Sequence, residues 1–271
     1  MSLVTTNNKI ITTDRLIERD LIKLFNNEIC ILQVKKFCDP ALCDKLSDWF
    51  KTSDRLVQYP YVMKRESSVK TIYYGVDRVG VPYNSTYGDI KQKEKYYEEA
   101  LSGIKALRST SYPYLSPVDR LRVELDENWP EGANLANFEG KKMFIGIGRV
   151  MKPELSHLSE YQPHWDSVPT QYAKLSGQFS ANVYLSVPKQ GGELEIWDIE
   201  PLPTTVIHNN DPDRDWRAEL PQSITLKPEK GDLLLFNTRR PHAITHFSGV
   251  TRVAAQCFIG VNPDKSLSMW T

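Results

Sequence analysis

The segment Tyr161-Gln162-Pro163-His164-Trp165-Asp166 sets an imidazole and a carboxylate two positions apart. In an extended chain, side chains at i and i+2 leave the same side of the backbone. Both groups can then reach one metal ion while Trp165 turns away. Further along, Gly231-Asp232-Leu233-Leu234-Leu235-Phe236 reads as a turn and a buried strand leading to His242, with His246 shortly after it. A lone histidine is more often structural than a ligand. Two imidazoles and one carboxylate, however, occupy one face of an octahedron and leave the other positions open, a donor set suited to non-haem iron(II). Arg252 then opens the apolar strand VAAQCFIGV. A guanidinium buried on such a strand calls for a carboxylate, which it can grip through two parallel hydrogen bonds.

Taken in order, HxD (His164, Asp166), Gly191-Gly192-Glu193-Leu194, Gly231-Asp232, His242 and Gly249 to Arg252 resemble the 2-oxoglutarate/iron(II) dioxygenase superfamily, in its prolyl-hydroxylase-like branch. The resemblance covers roughly residues 143–261. ILQVKKFCDPALCDKLSDWF also looks like the strand-and-helix entry of those enzymes. DRLRVELDENWPEGAN is similar to free-standing amino-acid hydroxylases and their halogenase relatives. Those halogenases carry a small residue in place of the acidic ligand, so Asp166 points to hydroxylation.

The resemblance implies Fe(II) held by His164, Asp166 and His242, with 2-oxoglutarate as co-substrate and O2 as oxidant. Its spacing favours His242 over His246, which is left to the core or the pocket wall. Arg252 would pair with the distal carboxylate of 2-oxoglutarate. Thr238 and Tyr184 are candidates for a further hydrogen bond to it, and Arg149 for contact with a co-substrate or substrate carboxylate. The implied reaction hydroxylates a C–H bond of a small molecule, a free amino acid or amino-acid-derived metabolite, as 2-oxoglutarate is decarboxylated to succinate. Desaturation and ring formation are chemical neighbours of that reaction. The alternatives are a peptidyl or prolyl-type hydroxylase and a non-catalytic cupin-like binding protein.

Elements must carry these groups. Residues 14–56 read as helix, strand, helix: the run Ile29–Val34 favours a strand, and Asp39-Pro40 caps a helix whose Leu42, Leu46, Trp49 and Phe50 share one face. Residues 57–90, rich in Tyr, Gly and Pro, predict irregular strands and loops, with Tyr59, Tyr61, Tyr73, Tyr74, Tyr83 and Tyr87 as a lid, a substrate wall or plain packing. A helix over 91–108 should bury Tyr97, Leu101, Ile104 and Leu107, and Ser116-Pro117 opens another that stops before Pro130.

Strands are expected at Met143–Val150, Phe179–Val187, Glu193–Trp197, Ile224–Leu226, Leu233–Phe236 and, last, Arg252–Val261. Short strands separated by turns predict an antiparallel sandwich or barrel. The fold expected is α+β with a mainly β core, a double-stranded β-helix (jelly roll, cupin-like) with N-terminal helices packed on its outside. It forms a single domain over 1–271: a helix-rich N-terminal region over residues 1–142, and a catalytic core over 143–263 with a surface insertion at 198–223.

Composition sets limits. The 271 residues carry 34 basic and 34 acidic side chains, so no electrostatic footprint marks a nucleic acid or an anionic membrane as partner. No apolar run approaches the roughly 18 residues of a membrane span. The polar start rules out a secretory leader, and the protein reads as cytoplasmic. Cys30, Cys38, Cys43 and Cys257 form no CxxC pair and read as buried structural thiols. His157 and His208 read as solvated. Glu193 reads as structural within its turn.

Overall fold

The computed structural model describes residues 8–65, 68–87, 89–157, 161–203 and 215–271, with the backbone alone for 59–74. Strand β1 (Ile10–Thr13) leads to helix α1 (Glu18–Phe25), strand β2 (Ile31–Val34) and helix α2 (Pro40–Thr52). Asp39 caps α2 by accepting from the amides of Ala41 and Leu42, and Pro40 at its first position has no amide to satisfy. Strands β3 (Leu56–Arg65) and β4 (Ser68–Val79) precede helices α3 (Ile90–Ser111) and α4 (Pro117–Asn128). Short strands β5 (Ala133–Leu135), β6 (Asn137–Phe138) and β7 (Lys141–Lys142) lead into β8 (Ile147–Met151) and β9 (Gly177–Ser186). Then come β10 (Gln190–Gly191), β11 (Leu194–Ile196), helix α5 (Trp216–Glu219), β12 (Ile224–Leu226), β13 (Leu233–Asn237), β14 (His242–Ile244), β15 (Phe247–Ser248), β16 (Arg252–Val261) and β17 (Leu267–Trp270).

Period-two alternation along three neighbouring strands decides the layering. From β9, Phe179, Ala181, Val183 and Leu185 enter the main core; from β13, Leu233 and Leu235; from β16, Val253, Ala255, Cys257 and Ile259. The same core takes Leu21 and Leu24 of α1, Leu42, Leu46 and Phe50 of α2, and Leu121 and Leu125 of α4. The helices therefore cover one face of the large sheet, whose main path runs β1-β2-β13-β9-β16-β8-β4-β3. Phe50 lies so close to β8 that a Cβ on Gly148 would meet its ring at 2.2 Å. A smaller sheet, β12-β11-β14, faces the opposite side, where Tyr184, Leu194, Ile196, Leu234 and Phe236 cluster. A mainly β core with helices on one face is thus what the chain builds.

Several expectations need correction. Much of 57–79 is more regular than expected: β3 and β4 pair antiparallel with one register shift between Gln58 and Pro60, and β4 joins the large sheet beside β8. Helix α3 buries Tyr96, Ala100, Ile104 and Leu107, whereas Leu101 is 59% exposed. The buried stripe is rotated because Tyr96 reaches inward to the amide of Phe144 and the carbonyl of Thr271. Residues 143–146 approach β8 without strand pairing, and β17 follows β16, so β16 is not the last strand. Pairing is not wholly antiparallel, since β1 with β2 and β17 with β5 run parallel.

The thiols behave as expected: all four are free and buried, and burial pushes Cys30 up to about 11 and Cys257 up to about 12. Among the described residues no helix is long and apolar enough to cross a membrane.

One carboxylate ties the N-terminal strand β2 and the residues after it to the turn that opens β13. Asp232 is fully buried and accepts hydrogen bonds from Gln33 Nε2 (2.7 Å), Lys35 Nζ (2.9 Å) and the amides of Lys36 (3.3 Å) and Glu229 (2.9 Å). It follows Gly231, whose φ of +89° and 2.7 Å Cβ approach to the Cys38 carbonyl admit only glycine without strain. Removing one partner of a buried charged network strands the others. Asp232→Ala should therefore cost about 3 kcal/mol of stability in urea unfolding. Asp48→Ala, which breaks an exposed pair with Lys51, should cost less than about 1 kcal/mol.

Candidate metal centre

The two segments that carry candidate ligands are stitched together by their backbones. His164 N–H donates to the His242 carbonyl at 3.0 Å and His242 N–H to the His164 carbonyl at 2.8 Å, an isolated antiparallel bridge. Two residues on, Asp166 N–H donates to the Thr238 carbonyl at 2.8 Å and the Thr238 hydroxyl donates to the Asp166 carbonyl at 3.0 Å. On its other side β14 pairs with β11, with Ile196 opposite His242. Trp165, between the two ligands, is buried and packs edge-on against Trp216. The donor atoms of His164, Asp166 and His242 all lie within 4.8 Å of one another, and His242 Nε2 is 3.9 Å from Asp166 Oδ2.

Tautomers decide whether this set suits a metal. His164 Nδ1 lies 2.9 Å from the Gln162 carbonyl and His242 Nδ1 lies 3.0 Å from the Arg240 carbonyl. A carbonyl only accepts, so each Nδ1 carries a proton, and in the neutral imidazole that tautomer leaves the Nε2 lone pair for a metal. Orientation of metal-binding imidazoles through the distal nitrogen is the usual outer-layer arrangement. Two neutral imidazoles and a carboxylate fit a divalent ion with open positions.

Around the ligands sits a rigid support. The buried Arg240 guanidinium bonds Asp198, the Asn27 carbonyl (3.0 Å) and Cys30 Sγ (3.0 Å), which immobilises the loop delivering His242. Arg217 pairs with Glu195 at 2.7 Å, donates to the Tyr161 carbonyl and stacks on the Tyr161 ring. The described portion of the 198–223 insertion therefore buttresses the HxD segment and is more than a surface loop. The long, proline-broken stretch gave no sign of this.

At the opposite end of β9 lies the second group. Arg252 is 4% exposed; its Nη1 is 3.3 Å from Met151 Sδ and its Nη2 donates to the Tyr184 hydroxyl at 3.2 Å. Burial raises the Tyr184 phenol's pKa, offset in part by the Arg252 and Arg149 cations. Arg149 lies opposite Ala254 on β16 and opposite Arg78 on β4, so all three share this face. Ser180, Asn182 and Gln256 join it, through bonds of 2.9 Å from Asn182 Nδ2 and 3.2 Å from Gln256 Nε2 to Ser180 Oγ.

Sequence reading missed Arg78, Ser180, Asn182 and Gln256. Polar residues at 180, 182 and 184 of an apolar strand were a readable period-two signal. Arg78 sits in the stretch without periodicity and had none.

The remaining candidates divide. The Thr238 hydroxyl is committed to Asp166 and, at 3.3 Å, to the Gln178 carbonyl. His246 is exposed and lies 2.6 Å from Ser156 Oγ, away from the ligand set; His157 is also exposed. His208 and the side chains of Tyr59, Tyr61, Tyr73 and Tyr74 lie outside the described residues. Glu193 accepts from the Thr245 hydroxyl and pairs with Lys227. Tyr83 is buried packing, while Tyr87 stacks on Tyr172 of the loop beyond Asp166, at 4.9 Å between centroids.

Residues 153–260 match the model of the 2OG-Fe(II) oxygenase superfamily, a span that takes in His164, Asp166, His242 and Arg252. The chain is similar to L-gamma-glutamyl-L-propargylglycine hydroxylase of Streptantibioticus cattleyicolor, 29% identical over 165 residues. That alignment covers 56% of this chain and 59% of the relative, so the chain spans about three-fifths of the length of the curated relative it matches. Its fold is similar to that of an N-substituted L-amino acid dioxygenase from Burkholderia ambifaria AMMD in complex with alpha-KG. That similarity has a TM-score of 0.51 at 18% identity, covering 79% of this chain and 100% of that one. The family model and the relative point to the 2OG-Fe(II) oxygenase superfamily, and the solved structure supports the fold alone.

Histidine exchange separates ligand from neighbour. His242→Ala and His164→Ala should each abolish stoichiometric Fe(II) or Co(II) binding in equilibrium dialysis. His246→Ala should keep it. Arg240→Met should weaken metal affinity by about tenfold while the ligands stay in place.

Proposed function

We propose that this protein is a 2-oxoglutarate-dependent hydroxylase of a small molecule, a free amino acid or an amino-acid derivative such as a γ-glutamyl conjugate. The observation that carries the metal assignment is the pair of imidazoles held by backbone carbonyls, with Asp166 completing the set within 4.8 Å. Both relatives described above have names that specify amino-acid-derived substrates, which supports that substrate class. The reading includes a double-stranded β-helix for the two facing sheets and one domain for the whole chain, since α1, α2 and α4 share a core with β9, β13 and β16.

In this reading His164, Asp166 and His242 hold iron(II). Bound iron supplies dioxygen activation driven by decarboxylation of 2-oxoglutarate and the oxidising power to remove a substrate hydrogen atom. The protein's own work is positioning. Arg252, flanked by Tyr184 and Arg149, receives the distal carboxylate of 2-oxoglutarate and fixes the co-substrate's direction. Asn182 and Gln256 offer amide groups beside it, and buried Phe236 and Trp165 keep water from the far side of the ligands.

The test is succinate formation by purified protein with Fe(II), ascorbate and 2-oxoglutarate, across free amino acids and γ-glutamyl amino acids. Succinate should rise several-fold with one member of the panel and vanish in His164→Ala. Arg252→Gln should raise the 2-oxoglutarate concentration for half-maximal rate by at least about tenfold. No turnover with iron demonstrably bound would sink the enzymatic reading.

A further inference from the structure

Arg239 is the buried cation that neither the metal set nor the co-substrate anchor uses. Its side chain is 9% exposed. Among the described residues its guanidinium makes one hydrogen bond, a long one of 3.4 Å from Nη2 to the Leu175 carbonyl, and Nε is buried with no partner. No ion pair with a described residue offsets the burial. Burial alone lowers the pKa below arginine's usual value, with no neighbouring carboxylate acting against it. The next residue shows the contrast, since Arg240 is buried more deeply still but paired with Asp198. A cation kept out of water without a counter-charge costs stability, and such a cost persists where a ligand supplies the missing charge.

Its place says which ligand. Arg239 follows Thr238, whose carbonyl and hydroxyl clasp the backbone of Asp166. Its own carbonyl accepts from Leu202 N–H at 2.9 Å, and its guanidinium touches Leu175 of the loop that runs on from Asp166. The loops 166–176, 198–203 and 238–241 therefore meet around it. Thr238 N–H also donates to the Gln178 carbonyl at the start of β9, whereas Arg252 meets Tyr184 toward its end. Two cations thus stand at opposite ends of the strand floor, with the candidate metal ligands joined to the Arg239 end.

We infer that Arg239 is the anion-recognition residue for the substrate, receiving a carboxylate at the end of the site opposite Arg252. This rests on the hydroxylase reading above. It makes the carboxylate a requirement for substrate binding, and it separates the substrate's carboxylate from that of 2-oxoglutarate by giving each its own guanidinium.

The experiment is calorimetric titration of the full chain loaded with Mn(II) and 2-oxoglutarate. The probes are free amino acids and γ-glutamyl amino acids, each beside its carboxamide. The wild type should bind at least one carboxylate probe at least about 30-fold more tightly than its amide. Arg239→Gln should remove that preference, and Arg239→Lys should restore part of it. Affinity for 2-oxoglutarate in Arg239→Gln should stay within about twofold, and the ligand-free Tm should hold or rise, because an uncompensated buried charge is gone.

Three results would overturn the inference. Arg239→Gln could keep the carboxylate preference. It could lose Tm while weakening 2-oxoglutarate and probe alike, the mark of a structural role. Or the loaded wild type could bind no probe, or bind acids and amides equally. Failure to load Mn(II) and 2-oxoglutarate at all would instead count against the hydroxylase reading.

Discussion

The site depends on a pair of backbone hydrogen bonds. The His164 segment has no strand of its own, and it is held against β14 by reciprocal bonds between His164 and His242 and by the Asp166–Thr238 clasp beyond them. Each of the two segments is thereby the other's template. Extended geometry then does the rest, since residues two apart project together and the intervening Trp165 is driven into packing with Trp216. Metal affinity at such a centre is a property of the pairing as much as of the ligands.

A second constraint is the division of the large sheet into an apolar face and a chemical face. Strands β9, β13 and β16 give alternate side chains to the helices and to the interior, so one set of hydrogen bonds supports both. The opening residue of β16 is Arg252 and its neighbour Val253 is core. A shift of register by one residue would exchange them. Beside these two the register already slips, because Leu185 has no partner on β16 between Tyr184 and Ser186. Tyr184 lies opposite Ala254, two residues on from Arg252, and so shares its face.

Much of this was legible in the sequence, for physical reasons that differ by region. The HxD spacing, the turn before β13 and the apolar setting of Arg252 are local features, and local periodicity reports them directly. Helices α2 and α4 were readable from Asp39-Pro40 and Ser116-Pro117, because capping is settled within four residues. What could not be read depends on partners far away in the chain. Leu101 lies outside and Tyr96 inside because the Tyr96 hydroxyl finds Phe144 and Thr271. The β3–β4 pair has little alternation to show, and Arg78 becomes part of the interior face only through its register with Arg149. Arg217 likewise supports Tyr161 from a stretch with no pattern.

The placement of β2 carries a further consequence. It pairs antiparallel with β13 along Leu233–Phe236, and β1 extends the sheet beyond it. Cut to residues 143–263, the chain would leave β13 as a bare sheet edge, with the amides and carbonyls that now bond β2 unpaired along the buried apolar run Leu233–Phe236. Such an edge recruits strands from other molecules. Residues 10–34 thus act as a guard against intermolecular β-pairing, and a chain shortened to its β-rich half would expose that edge to other molecules.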